Sequence, residues 1–191
     1  MPGIISTALV GFFLWTPIAS AGIASTTPAT IDGPTYTVSM TGYNAVPGQT
    51  DSNPDITASG AYSNPDIIAA RSPDLGDELP FGTVIQIDAA TTSSECGYSN
   101  VGEGIGLRVI GDSMNARMHN KIDILFDTDD NVHSGGKTLN AARVLGNCKD
   151  VTITVVGHVD IKDVPKTQDE LRLAIGYLPK ATDERLAVAK Q

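Results

Sequence analysis

The stretch DSMNARMHNKIDILF, residues 112–126, decides the class of fold. Its second half alternates, with Ile122, Ile124 and Phe126 at every second position. This spacing is typical of a β-strand that buries one face. Asp123 then lies on the opposite face, and its apolar neighbours along the chain keep water away from part of its carboxyl group.

Similar short runs recur along the chain, each rich in β-branched residues and bounded by turn residues. They are Tyr36–Tyr43, Ile67–Ala70, Thr83–Ile87, Leu107–Ile110 and Val151–Val156. Between the first two, Val46–Asp66 is a long loop rich in Pro, Asn, Asp and Ser, and loops of this length are often functional. Thr138–Leu145 has the pattern of a helix ended by Gly146. Many short strands with one short helix predict a mainly β fold, a small closed barrel.

The composition indicates a globular protein and argues against several classes of partner. Of 191 residues, 41% are hydrophobic and 18% charged, which is enough for one domain with tails. The formal net charge of −9 argues against binding to nucleic acid. Two cysteines are too few for a four-cysteine zinc site, and His119, His133 and His158 are widely spaced. We therefore predict no metal and no cofactor.

The N-terminus has the pattern of an export signal over residues 1–21. Ile4–Trp15 is a largely apolar run, and Ala19-Ser20-Ala21 is a small-x-small site for signal peptidase. The run is too short to span a bilayer comfortably, which favours a cleaved signal over a stable membrane anchor. The alternative is a buried N-terminal strand or helix. We expect a mature chain that begins at Gly22 and is secreted, periplasmic or associated with a cell wall.

Export also bears on the two cysteines of the chain. Cys96 and Cys148 are the only candidates for a disulfide, and in an oxidising compartment the simplest expectation is that they pair. The alternative is two independently buried thiols.

Beyond the signal, the chain divides into three segments. Residues 22–34 are rich in Ser, Thr, Pro and Gly and are expected to form a flexible leader. Residues 35–160 hold the predicted strands and form the predicted barrel domain. In residues 161–191, Thr167–Glu170 is a capping box and Asp183–Lys190 has the pattern of a second short helix. We expect a helical C-terminal tail that packs on the barrel.

Five segments together resemble the 3D domain, a family named for three aspartates. They are Met40–Tyr43, Thr57–Gly60, Leu79–Thr83, Asp112–Asp123 and Ala141–Gly146. The family is found in cell-wall-associated proteins and in membrane-bound lytic murein transglycosylase A, and the resemblance covers about residues 35–159. It implies a six-stranded double-psi β-barrel with one short helix. It also implies that the partner is the glycan strand of peptidoglycan, and we expect a monomer.

The segment that matches best contains two of the family's aspartates. Asp112 and Asp123 have the family's separation of eleven residues, and Ser113 and Ala116 match between them. Lys121 stands where the family usually has Arg. The family's glycines here are replaced by other residues: Met114, Asn115 and His119.

The first of the three family aspartates is missing from its usual position. That position is occupied by Arg71 in the segment Ala69-Ala70-Arg71. Asp74 or Asp77 could replace the missing carboxylate, or the protein could lack it.

The chemistry suggested by these residues is acid/base cleavage of a glycan. A partly desolvated Asp has a raised pKa and can act as a general acid near neutral pH. Asp123 is the candidate acid/base, and Asp112 is the candidate second carboxylate. The resemblance implies a lytic transglycosylase, in which one acid protonates the glycosidic bond and then accepts the proton of the muramic acid 6-hydroxyl. The alternative for Asp123 is a strand-end aspartate paired with Lys121 or with a backbone amide.

Further candidates come from the matching segments and from the aromatic residues. Thr57, Ser59, Asn115 and Lys121 are the candidate substrate-binding residues. Three tyrosines could stack on sugar faces, although packing is the alternative for each: Tyr43, Tyr62 and Tyr98. The alternative to an enzyme is a wall-binding or structural barrel without turnover.

Overall fold

The computed structural model describes residues 33–50, 53–88 and 96–177. The predicted signal peptide, most of the predicted leader and the helix expected over Asp183–Lys190 lie outside these residues. Among the helices that are described, none is long and apolar enough to cross a membrane.

Within the described residues, eight strands form a barrel and a separate hairpin. They are β1 (Thr35–Asn44), β2 (Ile68–Arg71), β3 (Thr83–Ile87), β4 (Leu107–Ser113), β5 (Lys121–Phe126), β6 (Asn131–Ser134), β7 (Lys137–Asn140) and β8 (Cys148–His158). Six of them close into a barrel in the order β1-β5-β2-β4-β3-β8. The predicted mainly β fold and small closed barrel are confirmed, and each predicted strand is present. The double-psi connectivity stays a prediction.

The barrel mixes parallel and antiparallel pairs. β1 is parallel to β5 and β2 is parallel to β4, whereas β2 and β5 are antiparallel to each other. β3 and β8 complete the barrel through antiparallel pairs. The two parallel pairs therefore lie side by side, and the strands of the two candidate aspartates, β4 and β5, both pair with β2.

Side chains alternate between two buried clusters. On β5, Ile122, Ile124 and Phe126 belong to the first cluster and Leu125 to the second, which confirms the predicted alternation. Close packing constrains the backbone as well. A Cβ at Gly42 would come within 2.8 Å of the Phe126 ring and 2.9 Å of the Ala142 Cα, so only glycine fits there.

The helix expected over Thr138–Leu145 is wrong in its first part. Residues up to Asn140 belong to β7, which pairs with β6 in a hairpin, and helix α2 covers only Ala141–Leu145. The hairpin turn is Gly135-Gly136, with φ of 58° and 75°, and a Gly-Gly pair is a known signal for such turns. The Asn140 side chain then caps α2 by accepting a hydrogen bond from the Ala142 N–H.

Two further helices lie outside the barrel strands. Helix α1 (Tyr98–Val101) follows Cys96, whose disulfide to Cys148 confirms the predicted pairing. Helix α3 (Gln168–Ala174) begins after Thr167, whose hydroxyl accepts the Glu170 N–H as the capping box predicts. Leu171 of α3 is buried in the second cluster, so this part of the C-terminal segment packs on the barrel.

Candidate functional site

Asp112 and Asp123 lie on either side of one small residue. In the parallel pair of β2 and β4, Ala70 is opposite Asp112, and in the antiparallel pair of β2 and β5 it is opposite Asp123. On the next strand, β1, Thr41 is opposite Asp123. These four residues form a row across four strands, and the short side chain of Ala70 leaves space between the two carboxyl groups.

A bulge in β4 brings Asp112 into this row. Ala69 is opposite Ile110, but Ala70 is opposite Asp112, so Gly111 is an extra residue on β4. Strict alternation from Ile110, which belongs to the first cluster, would direct Asp112 away from Asp123. The extra residue changes the face on which Asp112 lies. A Cβ at Gly111 would also lie 2.7 Å from Ile68 Cδ1, so a larger residue at this position would require the Ile68 side chain to move.

Asp123 is largely buried, and its carboxyl group accepts a hydrogen bond from the hydroxyl of a residue on β1. The Thr41 hydroxyl donates to Asp123 Oδ1 over 2.8 Å. Burial raises the pKa of Asp123 to about 6, against the lowering effects of the Thr41 hydrogen bond and the Lys121 charge. In the described part of the chain, Lys121 and Asp123 form no ion pair within 4 Å. Asp123 therefore changes charge close to neutral pH.

Asp112 accepts hydrogen bonds from three donors. The Tyr43 hydroxyl donates to Oδ2 over 3.0 Å, and the N–H groups of Ala58 and Ser113 each donate to Oδ1 over 2.8 Å. Such a set of donors suits an ionised carboxylate. These hydrogen bonds also fix the orientation of the Asp112 carboxyl group, and the one from Ala58 joins the turn of residues 56–63, the 56–63 turn, to β4.

Both carboxylates open into one cavity, which we call the aspartate cleft. It has a volume of about 280 Å³, and its lining includes Asp112, Asp123, Ala70 and Tyr43. The other lining residues are Gln49, Thr50, Ile56, Ala58, Ser63, Ser113, Met114, Asn115 and Met118. Ile56 and Met118 are 43% and 36% exposed, so the cleft combines two carboxyl groups with exposed apolar side chains of the kind that contact ligands.

The predicted substrate-binding residues have different positions. Asn115 lines the aspartate cleft, whereas Thr57, Ser59 and Lys121 are not among its lining residues. The Thr57 and Ser59 hydroxyls lie 2.9 Å apart, and the Thr57 hydroxyl also donates to the Ala61 carbonyl. Thr57 and Ser59 therefore hold the turn in the conformation in which the Ala58 N–H reaches Asp112.

Neither candidate for the missing third carboxylate lines the cleft. Asp74 accepts a hydrogen bond from the Asn120 N–H and lies 3.9 Å from His119 Nδ1, and Asp77 is exposed on the same segment. The Arg71 side chain contacts the segment that follows β2. Its Nε donates to the Leu79 carbonyl, and its guanidinium group lies 5.0 Å from the centre of the Phe81 ring.

Sequence reasoning missed the roles of Tyr43 and Arg108. Tyr43 is one of the three candidates for stacking on sugars, and in the structure it is buried and donates to Asp112; burial and the nearby Asp112 charge raise its pKa. Arg108 is 1% exposed and donates to the carbonyls of Pro65, Leu125 and Gly104. Desolvation lowers the pKa of Arg108 to about 10, so the side chain remains charged near neutral pH. Its hydrogen bond to the Pro65 carbonyl joins the end of the long loop to the barrel.

No cluster that resembles a metal site occurs in the described ranges, where no three His, Cys, Asp or Glu side chains come together as ligands would. Comparison of the chain with protein-family models finds no match, and comparison with curated proteins finds none either.

Proposed function

We propose that this protein is exported and cleaves the glycan strand of peptidoglycan as a lytic transglycosylase does. The observation that carries the proposal is the difference between two carboxyl groups that share one cleft. Burial raises the pKa of Asp123 to about 6, and Asp112 accepts three hydrogen bonds. Pairs of carboxyl groups in unlike surroundings are typical of sites that cleave glycosidic bonds.

In the proposed reaction, Asp123 is first an acid and then a base. The protonated carboxyl group gives its proton to the glycosidic oxygen, and the bond between that oxygen and the muramic acid C1 breaks. Asp123, now ionised, accepts the proton of the 6-hydroxyl of the same sugar, whose oxygen forms the new bond to C1. The products are a 1,6-anhydro sugar and a free 4-hydroxyl, and no water is consumed.

Asp112 has a supporting role in this proposal. The two aspartates are separated by two strand spacings, so their backbones are about 10 Å apart. A sugar ring fits between carboxyl groups that extend from such positions. A fixed negative charge beside the ring stabilises the positive charge that develops on the sugar in the transition state.

The disulfide supports export. Disulfides persist in oxidising compartments and are rare in the cytosol, and Cys96 and Cys148 are joined in this structure. This agrees with the export signal expected over residues 1–21 and with secretion, a periplasmic location or association with a cell wall.

The test is digestion of purified sacculi, followed by mass spectrometry of the soluble products. The proposal predicts muropeptides with 1,6-anhydro ends, which are 18 Da lighter than the corresponding reducing-end products because no water has been added. Soluble fragments with reducing ends would instead identify a hydrolase.

A second candidate, a wall-binding barrel without turnover, is favoured by one observation. Arg71 replaces the first family aspartate, and neither Asp74 nor Asp77 lines the aspartate cleft. Binding to sacculi without release of any soluble fragment would support this second function.

A further inference from the structure

A second and larger cavity lies beside the aspartate cleft. Its volume is about 680 Å³, and it is lined by residues 161–166 of the C-terminal segment and by four residues of the long loop: Gly60, Ala61, Tyr62 and Asn64. We call it the tail groove. The Asn64 amide donates to the Lys166 carbonyl over 2.8 Å, so the two sides of the groove are joined at one end.

The tail groove and the aspartate cleft are separated only by the 56–63 turn. Ile56 lines the cleft and pairs through a β-bridge with Tyr62, which lines the groove. Ser63 lines the cleft, whereas the next residue, Asn64, lines the groove. A polymer that occupies the cleft therefore reaches the groove by crossing a wall that is one turn thick.

The groove differs from the cleft in its charge. Lys162 and Lys166 line it and are exposed, and within the described residues neither ammonium group forms an ion pair. One carboxylate, Asp163, also lines the groove. Tyr62 is 67% exposed there and offers an aromatic face beside the two lysines. The cleft contains two aspartates, and the whole chain has a formal net charge of −9. The groove, with two lysines and one aspartate, is by contrast a local site that attracts an anion.

We infer that the tail groove binds the carboxylate-bearing peptide substituent of the glycan strand whose sugars occupy the aspartate cleft. This inference rests on the proposed function. An acidic substituent close to Asp112 would be repelled, whereas across the 56–63 turn it meets two cationic side chains. The groove volume lies in the range of sites that hold a peptide of a few residues.

The experiment measures the binding of glycan strands that do or do not carry peptides. Soluble strands are prepared from sacculi, and half are treated with an amidase that removes the peptides. Affinity for both is measured with the Asp123→Asn variant, in which we expect binding without cleavage. The same affinities are then measured for the Asp123→Asn variant that also carries Lys162→Met and Lys166→Met. The matched control is the Asp123→Asn variant that also carries Lys149→Met. Lys149 is exposed at the start of β8 and lines neither cavity.

We expect the peptide-bearing strand to bind about tenfold more tightly than the stripped strand at low salt. The double substitution should remove this preference, and Lys149→Met should keep it. Equal affinity for the two strands, or a preference that survives loss of both lysines, would overturn the inference while leaving the aspartate cleft as a glycan site. Failure of both strands to bind would overturn the proposed function as well.

Discussion

Asp112 and Asp123 lie on opposite sides of Ala70 in one cleft, and the two sides hold the same chemical group differently. On the β4 side, three donors surround Asp112. On the β5 side, Asp123 has the Thr41 hydroxyl, and burial raises its pKa to about 6. On one side of the cleft, hydrogen bonds fix the orientation of a carboxyl group, and on the other side burial produces a carboxyl group that can exchange its proton near neutral pH.

Among the substitutions that test this difference, Asp123→Asn should have the largest effect on activity. The amide can still accept the Thr41 hydrogen bond, but it has no transferable proton. We expect release of anhydromuropeptides to fall by about a thousandfold, in the range typical for loss of a general acid. The matched control is Asp150→Asn, because Asp150 is exposed and has a φ of 56°, which asparagine adopts readily. Unchanged release by Asp123→Asn would remove this residue from the mechanism.

Asp112→Asn tests the other side of the cleft. Its amide nitrogen would oppose one of the donors that now point at the carboxylate, and the fixed negative charge would be lost. We expect a loss of about ten- to a hundredfold, measured as anhydromuropeptide release with the melting temperature recorded alongside. A loss equal to that of Asp123→Asn would mean that both carboxyl groups transfer protons, and the contrast between them would be wrong.

The stability of Asp123→Asn provides a test that does not depend on substrate. A carboxyl group whose pKa rises from 3.8 to about 6 on folding favours the folded state less as pH increases through this window. The variant should therefore be more stable than the wild type at pH 7.5, by about 3 kcal/mol. This gain should disappear near pH 4, where the wild-type group is protonated in the folded state. Urea unfolding at both pH values measures it, and a gain that is equal at both would contradict the raised pKa.

The part of the cleft that could be predicted from sequence is the part set by local alternation. Ile122, Ile124 and Phe126 fix the face of Asp123, because side chains alternate along any strand. The position of Asp112 could not be predicted in this way, since the bulge at Gly111 depends on how β4 pairs with β2. A glycine inside a strand is a signal for such a bulge, but it does not state which face the next residue adopts.

The wall of the cleft illustrates a second limit of sequence reasoning. The substrate-binding role predicted for Thr57 and Ser59 stays a prediction, whereas sequence does not show that their hydroxyl groups hydrogen-bond to each other and shape the turn that carries Ala58 to Asp112. Ala58 and Asp112 are 54 residues apart in the chain. Every residue except proline has a backbone N–H, so the amino-acid sequence does not indicate which of these groups donates to a distant side chain. Arg108 was missed for a related reason, because its partners are three carbonyl groups.

The smallest predicted effect concerns the single hydrogen bond to Asp123. Thr41→Val removes the hydroxyl that donates to Oδ1, and this donor stabilises the ionised form and lowers the pKa. The folded pKa of Asp123 should therefore rise further, and the fall in kcat/KM with increasing pH should move to higher pH. Near neutral pH the variant should then be a few-fold more active than the wild type, because more of its Asp123 is protonated. The control is Thr37→Val, the same substitution at an exposed position of β1, which should leave the pH profile unchanged. A profile for Thr41→Val that coincides with the wild type would mean that this hydroxyl does not stabilise the ionised carboxylate, and the contrast with Asp112 would then depend on burial alone.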